Sequence, residues 1–445
     1  MLPAIREYFE SRDPEFRTKR YLIAVSGGRD SMALLHAMHQ LGLLIASAHV
    51  HFGLRPEADF EQDLVQSFSG QLSIECFTTV FDTKQYATFH KISTQEAARQ
   101  LRYEWFTALK ERHGFDHIVT AHHQEDLMET WLINAIRGSG WRGMMSIPEE
   151  NNLILRPLLK VSRKEIDHYI SLNNIPFMED SSNSGDDYLR NRIRHHLLPV
   201  LDNISRGRAA QLPATIDHLK DAGALLQSFL DELHTNMVIA KADFLQLHLA
   251  KLLRFPNPAY VLGEVLYRYG FSFHQAENLW NAFEKNHSGA VISGNDYEAL
   301  VDRVHILLRK ITASSNVTLN IDRPDLPFRS KTNSGEIEII QSVAPEHFTK
   351  NNFNIYFNEN KISWPIRYSR WHPGDRIQSF GLEGKYHHVQ DILTDAKYNK
   401  WEKESVYVVR DQEGIIWIPG LRMAERGRVS PGDVCIQMMW RSTAS

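Results

Sequence analysis

The chain has 445 residues, and their number predicts two to four domains rather than a single core. The formal net charge of −4 excludes a basic nucleic-acid footprint over the whole chain, so any polyanion must bind local basic patches. Only Cys76 and Cys435 are cysteines, which excludes a disulfide framework, a cysteine zinc site and a cysteine-bound iron–sulfur cluster, and indicates a reducing cytosol.

Residues 20–122 alternate between strand-like runs, at Tyr21–Val25, Leu44–Val50, Ile74–Phe81 and His117–Ala121, and helical patterns near 31–41, 57–69 and 93–112. Ser93–Glu96 is a capping-box candidate for the start of the last helix. This alternation predicts an α/β domain with a Rossmann-like parallel sheet that is covered by helices on both faces. Ligands of such sheets bind outside the carboxyl ends of the strands. Three polar segments follow predicted strands and should therefore meet at one edge: Ser26–Ser31, His49–Arg55 and Thr120–His123.

The segment Ser26–Ser31 reads Ser-Gly-Gly-Arg-Asp-Ser between an apolar strand and a helical pattern. Gly27 and Gly28 can adopt positive φ and let a phosphate approach the backbone, and the free N–H groups of the helix then face that anion. Asp30 would repel a bare phosphate, so its presence indicates a bridging Mg²⁺ ion. The segment matches neither the Walker loop nor the dinucleotide fingerprint and resembles the PP-loop of ATP pyrophosphatases; the alternative is an ordinary strand-to-helix turn.

A second group of chemically active side chains lies in Thr120–Thr130. His122, Asp126 and Glu129 are spaced i, i+4 and i+7, so we expect one helix face to carry all three. An imidazole and two carboxylates beside a phosphate loop suit Mg²⁺ binding or proton transfer, whereas the spacing does not fit the H-E-x-x-H zinc motif. The alternative for His122 alone is a hydrogen-bonded structural histidine.

Two basic segments follow. Arg137–Gly143 combines glycines with two arginines, which indicates either a flexible basic loop or a helix cap and turn. Farther along, Arg190 and Arg194 are spaced i, i+4, and arginine suits phosphate recognition. The alternative for these arginines is a solvated basic face that pairs with nearby acids.

The remaining chain changes character twice. From about Asp202 to Arg309 the pattern is mostly helical, and beyond a polar break at Thr312–Asn316 it alternates as strands do. We therefore predict three domains, 1–205, 206–310 and 311–445. The amino end lacks an apolar h-region and no run of about 18 apolar residues occurs, so we expect a cytoplasmic protein without a membrane span.

The ordered set of motifs resembles the bacterial tRNA(Ile)-lysidine synthetases. The matching segments are Ser26–Ser31, His49–Arg55, Glu96–Tyr103, Thr120–Thr130, Arg137–Gly140, Arg156–Leu159 and Glu179–Arg194, with Pro373–Arg376 and Trp417–Arg422 near the end. Two positions depart from the family pattern. His51 and Phe52 replace Asn and His, and His387-His388 stand where lysines are common, which implies weaker or pH-sensitive tRNA contact in the last domain.

The resemblance implies an ATP-dependent ligase that adenylates the C2 oxygen of the wobble cytidine in isoleucine tRNA with a CAU anticodon. Free L-lysine then attacks C2, and AMP and pyrophosphate are released. The first domain would be the catalytic PP-loop ATP pyrophosphatase domain, the second a helical tRNA-binding domain and the third a β-rich tRNA-recognition domain. A homodimer stays an open alternative.

The resemblance also implies roles for individual residues. ATP would be bound by the loop residues Ser26, Gly27, Gly28, Arg29, Asp30 and Ser31, with Mg²⁺ on Asp30. His122, Asp126 and Glu129 would complete the catalytic site, and Arg99 and Arg190 would face phosphate or the activated base. The alternatives are a PP-loop tRNA thiolase, which the missing cysteine pair disfavours, an amide-forming PP-loop ligase, and a non-catalytic nucleotide or RNA-binding module.

Overall fold

The structure is a computed structural model that describes the chain except residues 55–56, 152, 180–188, 206, 208–210, 242, 312–317, 333–334, 349–350, 381–384 and 443–445. Its contacts divide the chain into two compact units, Met1–Ser228 and Phe229–Ser445. The predicted linker at 312–316 and residues Arg55 and Asp180–Tyr188 of the predicted motifs lie outside the described residues.

A six-stranded sheet forms the centre of the first unit. Its strands are β1 (Arg20–Ala24), β2 (Leu44–His51), β3 (Glu75–Val80), β4 (His117–Val119), β5 (Glu150–Asn151) and β6 (Ile154–Leu155), in the order β3-β2-β1-β4-β6-β5. All neighbouring pairs are parallel except β5 with β6. The order reverses between β1 and β4, which places a topological switch point at their carboxyl ends.

The helices of the first unit cover both faces of this sheet. They are α1 (Leu2–Glu10), α2 (Arg29–Gln40), α3 (Ala58–Gln71), α4 (Thr83–His90), α5 (Thr94–His113), α6 (Gln124–Ile136), α7 (Trp141–Met144), α8 (Arg163–Asn173), α9 (Leu189–Arg192) and α10 (Leu198–Ile204), with a π-helical turn at Ile193–Leu197. Two apolar clusters hold the layers together: one contains Leu34, Met38 and Ile166, and the other contains Leu22, Phe106 and Leu109.

The sequence patterns of this unit are confirmed in type and order. The predicted strands and helices of residues 20–122 all form, with ends within two residues of the predicted bounds. Ser93 caps α5 by accepting a hydrogen bond from the backbone N–H of Glu96, as its position predicted. The parallel sheet follows because each of these strands is largely apolar and is followed by a crossover helix.

The second unit is richer in strands. Helix α11 (Leu212–Met237) crosses the unit boundary, and α12 (Pro258–Tyr267) and α13 (Phe273–Glu284) follow it. A five-stranded sheet in the order β7-β8-β11-β10-β9 consists of β7 (Val238–Ala240), β8 (Leu245–His248), β9 (Val291–Ser293), β10 (Tyr297–Asp302) and β11 (His305–Lys310). The mostly helical prediction for this region found the helices and missed the sheet, three of whose five strands have only three or four residues.

The carboxyl-terminal part is β-rich, as predicted. Its strands are β12 (Leu319–Ile321), β13 (Phe328–Thr332), β14 (Gly335–Val343), β15 (Asn354–Phe357), β16 (Ile366–Arg370), β17 (Arg376–Gln378), β18 (Tyr386–His388), β19 (Tyr407–Asp411), β20 (Gly414–Ile418), β21 (Arg422–Met423) and β22 (Val434–Ser442). Five-, four- and two-stranded sheets result, and two short helices, α14 (Val389–Asp395) and α15 (Lys400–Glu404), interrupt them.

Trp401 of α15 packs against the β7–β11 sheet within the second unit. It is 4% exposed and clusters with Leu300 and Leu307, while the guanidinium of Arg309 lies 4.6 Å from its ring centroid. The carboxyl-terminal part is therefore anchored to the sheet that precedes it. Among the described helices, none is both long and apolar enough to cross a membrane.

Candidate active site

The loop Ser26–Ser31 forms the predicted turn between β1 and α2. Gly27 has a φ of +85°, a conformation that glycine adopts without strain, and Gly28 is the N-cap of α2. The hydroxyl of Ser31 donates to the carbonyl of Gly28 at 2.9 Å and accepts from the backbone N–H of Ser26 at 3.1 Å. These bonds close the loop on itself and leave the first-turn N–H groups of α2 directed outward, as an anion site requires.

Three helix amino termini converge next to this loop. Both carboxylate oxygens of Asp30, in the first turn of α2, accept from Nη1 of Arg163 at 2.9 Å. Arg163 is the first residue of α8, and its backbone N–H donates to the carboxylate of Glu125 at the start of α6. Because each helix dipole is positive at its amino end, α2, α6 and α8 together favour a negatively charged ligand here.

His123 links the acidic side chains of these helices. Its Nδ1 lies 2.9 Å from Oε2 of Glu125, and its Nε2 lies 3.5 Å from Asp126 and 3.7 Å from Asp30. Burial lowers the pKa of His123, but the three surrounding carboxylates outweigh burial and leave that pKa raised. The imidazole is therefore biased towards its charged form, with Asp30 and Asp126 both near its Nε2 and Glu125 at its Nδ1.

Asp126 and Glu129 occupy the buried face of α6. Glu129 is fully buried and accepts from Nε and Nη2 of Arg194 at 2.6 and 3.0 Å, while Nε of Arg190 lies 3.2 Å away. Burial raises the pKa of Glu129 despite both arginines. Burial also acts to raise the pKa of Asp126, but the two neighbouring histidines and a backbone hydrogen bond outweigh it and lower that pKa.

His122 lies outside the helix, which corrects the prediction of a three-residue helix face. Helix α6 begins at Gln124 because His123 is its N-cap, and the carboxylate of Asp126 accepts from the His123 backbone N–H at 3.1 Å. His122 sits in the strand-to-helix turn, where its Nδ1 lies 2.9 Å from the Thr120 hydroxyl. Burial lowers its pKa to about 4, and the opposing charge of Asp126 reduces the shift.

Of the other arginines predicted for the site, the structure places one beside the carboxylates of α6 and two away from them. Arg190 reaches Glu129 and Thr130, so it joins the carboxylate face. The guanidinium of Arg29 is instead paired with Asp167 and Glu179 at 2.8 and 2.6 Å, which leaves its backbone as the part that faces the loop. Arg99 is exposed on α5 with its guanidinium 5.0 Å from the Tyr103 ring.

The glycine-rich segment after α6 has the geometry of a cap. Arg137 ends the helix, Gly138 has a φ of +68°, and its N–H donates to the carbonyl of Ala135. Short helix α7 then begins at Trp141. The helix-cap alternative therefore accounts for the glycines of this segment.

Comparison with known proteins assigns the chain to a family. A model of the PP-loop domain matches residues 3–201, and a model of the TilS substrate binding domain matches residues 240–311. A tRNA(Ile)-lysidine synthase of Bacteroides thetaiotaomicron is 33% identical over 423 residues, which are 95% of each chain. The chain belongs to the tRNA(Ile)-lysidine synthase family.

Further relatives span the same length. The tRNA(Ile)-lysidine synthase of Parabacteroides distasonis is 30% identical over 430 residues, 96% of this chain and 97% of that protein. The tRNA(Ile)-lysidine synthase of Bacillus subtilis is 27% identical over 448 residues, 95% of this chain and 93% of that protein. The resemblance drawn from the motifs is thus confirmed over both compact units.

In this chain, sequence reasoning missed three side chains of the site: His123, Glu125 and Arg163. The Ser162–Glu165 capping box could have located the start of α8. No local pattern shows that Arg163 reaches Asp30, because 133 residues separate them in sequence. The sequence would have indicated a role for His123 only if the start of α6 had been predicted at Gln124, which makes His123 the N-cap.

Proposed function

We propose that this chain is the ATP-dependent synthase that converts the wobble cytidine of CAU-anticodon isoleucine tRNA to lysidine. ATP adenylates the C2 oxygen and releases pyrophosphate; the ε-amine of free L-lysine then attacks C2 and AMP leaves. The observation that carries this proposal is the convergence of α2, α6 and α8 on one carboxylate cluster, in a chain matched over 95% of its length by a curated tRNA(Ile)-lysidine synthase.

The polyphosphate of ATP is proposed to lie against the loop Ser26–Ser31. Gly27 and Gly28 present backbone without a Cβ, and α2 supplies its dipole and free N–H groups. Arg29 contributes through its backbone, because its side chain is committed to Asp167 and Glu179. Positioning and charge stabilisation should dominate the adenylation step, since the protein supplies no covalent nucleophile in this scheme.

Asp30 is proposed to hold the Mg²⁺ ion that accompanies ATP. Among the described residues, no three His, Cys, Asp or Glu side chains are arranged to hold a metal by themselves. The single carboxylate of Asp30 fits Mg²⁺, which in nucleotide sites takes one or two carboxylates and completes its coordination with phosphates and water. Arg163, which contacts both Asp30 oxygens in this structure, would have to release one of them to the ion. When bound, the ion would neutralise phosphate charge as the bond between the α and β phosphates breaks.

Lysine is proposed to bind beside α6. Asp126 has a lowered pKa and is ionised at neutral pH, so its carboxylate attracts an ammonium group. Glu129 is fully buried and already accepts from Arg194, so we assign it to orienting Arg190 and Arg194 towards phosphate or the activated base. The amine, with an ordinary pKa near 10, must lose a proton to form the new C–N bond, and we propose Asp126 on α6 or His122 in the turn before it as the acceptor. Both have lowered pKa values, so the proton would leave as the C–N bond forms and the amine becomes acidic.

The tRNA is proposed to contact the domains predicted at 206–310 and 311–445 as well as the catalytic domain 1–205. A wobble base must leave its stack to reach a buried carboxylate cluster, as other enzymes of base chemistry require. We place the reaction in the cytoplasm, where tRNA and free lysine occur together. The scheme needs one copy of the site, and sedimentation of the purified chain tests for a homodimer.

The experiment supplies the purified chain with ATP, Mg²⁺, radiolabelled lysine and isoleucine tRNA transcripts that carry the CAU anticodon or an altered one. We expect label only in the CAU transcript, together with AMP and pyrophosphate. Absence of label from both transcripts would refute the proposal. Sulfur incorporation instead of lysine would identify a thiolase, and ATP cleavage that is independent of RNA would identify an amide-forming ligase.

A further inference from the structure

We propose that a groove between α4 and α5 binds an unpaired base of the RNA substrate by stacking. The inference rests on the proposed function and adds a second nucleotide site to it. The groove has a volume of about 330 Å³ and is lined by Phe81, Asp82, Gln85, Tyr86, Phe89 and Leu101. Aromatic and aliphatic side chains dominate this lining, as they do in sites that stack nucleobases.

One of the residues that line the groove, Phe89, has an exposed aromatic ring. Phe89 is 81% exposed, although most large apolar side chains of this unit are buried. Its ring centroid lies 5.1 Å from that of His90, and the Tyr86 and His90 centroids are 4.2 Å apart. His90 is edge-on to Phe89, at an interplanar angle of 77°, and is tilted by 32° to Tyr86. The Phe89 ring itself is therefore the open surface of this cluster, and every base has a π-face that can stack on an exposed ring.

The charges around the groove favour a polyanion over a protein partner. Three exposed cations here form no ion pair with a carboxylate among the described residues: Lys84, Lys91 and Arg99. Arg102 of α5 instead lies with its guanidinium 5.0 Å from the Phe52 ring centroid, and burial lowers its pKa. Asp82, the acidic lining residue, is used as the N-cap of α4 and accepts from the Gln85 N–H at 3.0 Å. Cations without a carboxylate partner can bind the phosphates of a single strand, and the aromatic rings beside them can stack on its bases.

The groove also lies at the catalytic edge of the sheet. Helix α4 follows the carboxyl end of β3, and the Thr83 hydroxyl donates to the carbonyl of Phe52, just beyond β2, at 2.8 Å. The N–H of Phe81 donates to the carbonyl of His51 at 2.9 Å. Ligands of this sheet approach that edge, so a strand whose wobble base enters the carboxylate cluster would bring neighbouring nucleotides past α4 and α5.

A second groove provides a matched control. It has a volume of about 310 Å³ and is lined by residues of α1 and α8, among them Leu172, which is 70% exposed. Its exposed apolar side chain is the aliphatic Leu172, whereas the aromatic Tyr169 of its lining is buried. Leu172→Ala therefore removes a similar exposed apolar group from a similar groove without removing a stacking partner.

The experiment measures binding of a fluorescein-labelled CAU anticodon stem-loop by anisotropy, with the full chain and its Phe89→Ala, Phe89→Trp and Leu172→Ala variants. We expect Phe89→Ala to weaken RNA binding by roughly 5- to 150-fold, the loss typical for one stacked base. Phe89→Trp should retain binding, and Leu172→Ala should match the unmodified chain. ATP binding without RNA should be the same in all four proteins.

Several results would overturn the groove proposal. The proposal is wrong if Phe89→Ala binds RNA as tightly as Leu172→Ala does. It is also wrong if Phe89→Trp loses as much RNA affinity as Phe89→Ala. Loss of self-association in Phe89→Ala, with RNA binding unchanged, would identify the groove as an interface between copies. Failure of the unmodified chain to form lysidine would refute the proposed reaction alone, because RNA binding is measured independently of it.

Discussion

Replacement of Arg194 by leucine tests the buried charge pair on α6. Glu129 has two hydrogen bonds from Arg194, at 2.6 and 3.0 Å, and one contact from Arg190 at 3.2 Å. Removal of one partner from a buried ion pair costs about 3–5 kcal/mol. Because Arg190 remains, we expect the lower part of that range or less, about 2–3 kcal/mol of local stability.

The cost should depend on pH, because Glu129 can escape an unpaired charge by taking up a proton. Burial already raises the pKa of Glu129, and loss of Arg194 should raise it further. A carboxyl group with a raised native pKa destabilises the fold progressively as pH rises from its unfolded pKa to its native pKa. The penalty of Arg194→Leu should therefore be largest near neutral pH and shrink towards the unfolded pKa of glutamate.

Hydrogen exchange of the α6 amides in the full chain measures this local stability. We expect the opening free energy of α6 in Arg194→Leu to fall by about 2–3 kcal/mol at pH 7.5 and by clearly less at pH 5. Glu129→Gln combined with Arg194→Leu should recover part of the loss, since no buried charge is then left unpaired. Equal losses at both pH values, or no recovery in the double variant, would refute the assignment of a buried ionised Glu129.

Three further predictions concern other parts of the chain. Asp30→Ala should abolish ATP-dependent adenylation of the tRNA and leave tRNA binding nearly intact; equal loss of both would contradict its placement at the phosphate loop. Burial lowers the pKa of His122 to about 4, so as pH falls the unfolded chain binds this proton before the folded chain does, and the fold loses stability. In thermal melts between about pH 6.5 and 4.5, His122→Asn should therefore lose less stability than the unmodified chain. Trp401→Ala should cost about 3–5 kcal/mol and raise hydrogen exchange in β10 and β11, whereas unchanged exchange there would show that Trp401 does not anchor the carboxyl-terminal part.

The sequence predicted those features of the fold that depend on local pattern. Alternating apolar strands and amphipathic helices predicted the parallel sheet, and Ser93 predicted the start of α5. Two strands of the sheet β7–β11, Val238–Ala240 and Val291–Ser293, have three residues each, too few to show a period of two. Strands β10 and β11 have six residues each, but three consecutive residues at the centre of each are buried, so they show an apolar run instead of alternation. The segment was interpreted from its longer helices α11, α12 and α13.

In the candidate site, too, the residues predicted from the sequence are those that a local pattern identifies. Ser26–Ser31 was found because all its residues are consecutive, and Asp126 and Glu129 because they share one helix. His123 and Arg163 were missed because their roles depend on how three helices meet, which tertiary packing determines and local sequence does not.

The start of α6 shows how a one-residue difference changes the chemistry. With the helix beginning at His122, that imidazole would lie on the same face as Asp126 and titrate beside it. With His123 as the N-cap, the two imidazoles are in different environments: His122 has a pKa of about 4, and the pKa of His123 is raised. Of two adjacent histidines, one is thus biased towards the neutral form and the other towards the charged form beside Glu125, Asp126 and Asp30. Their spacing in the sequence does not show this difference.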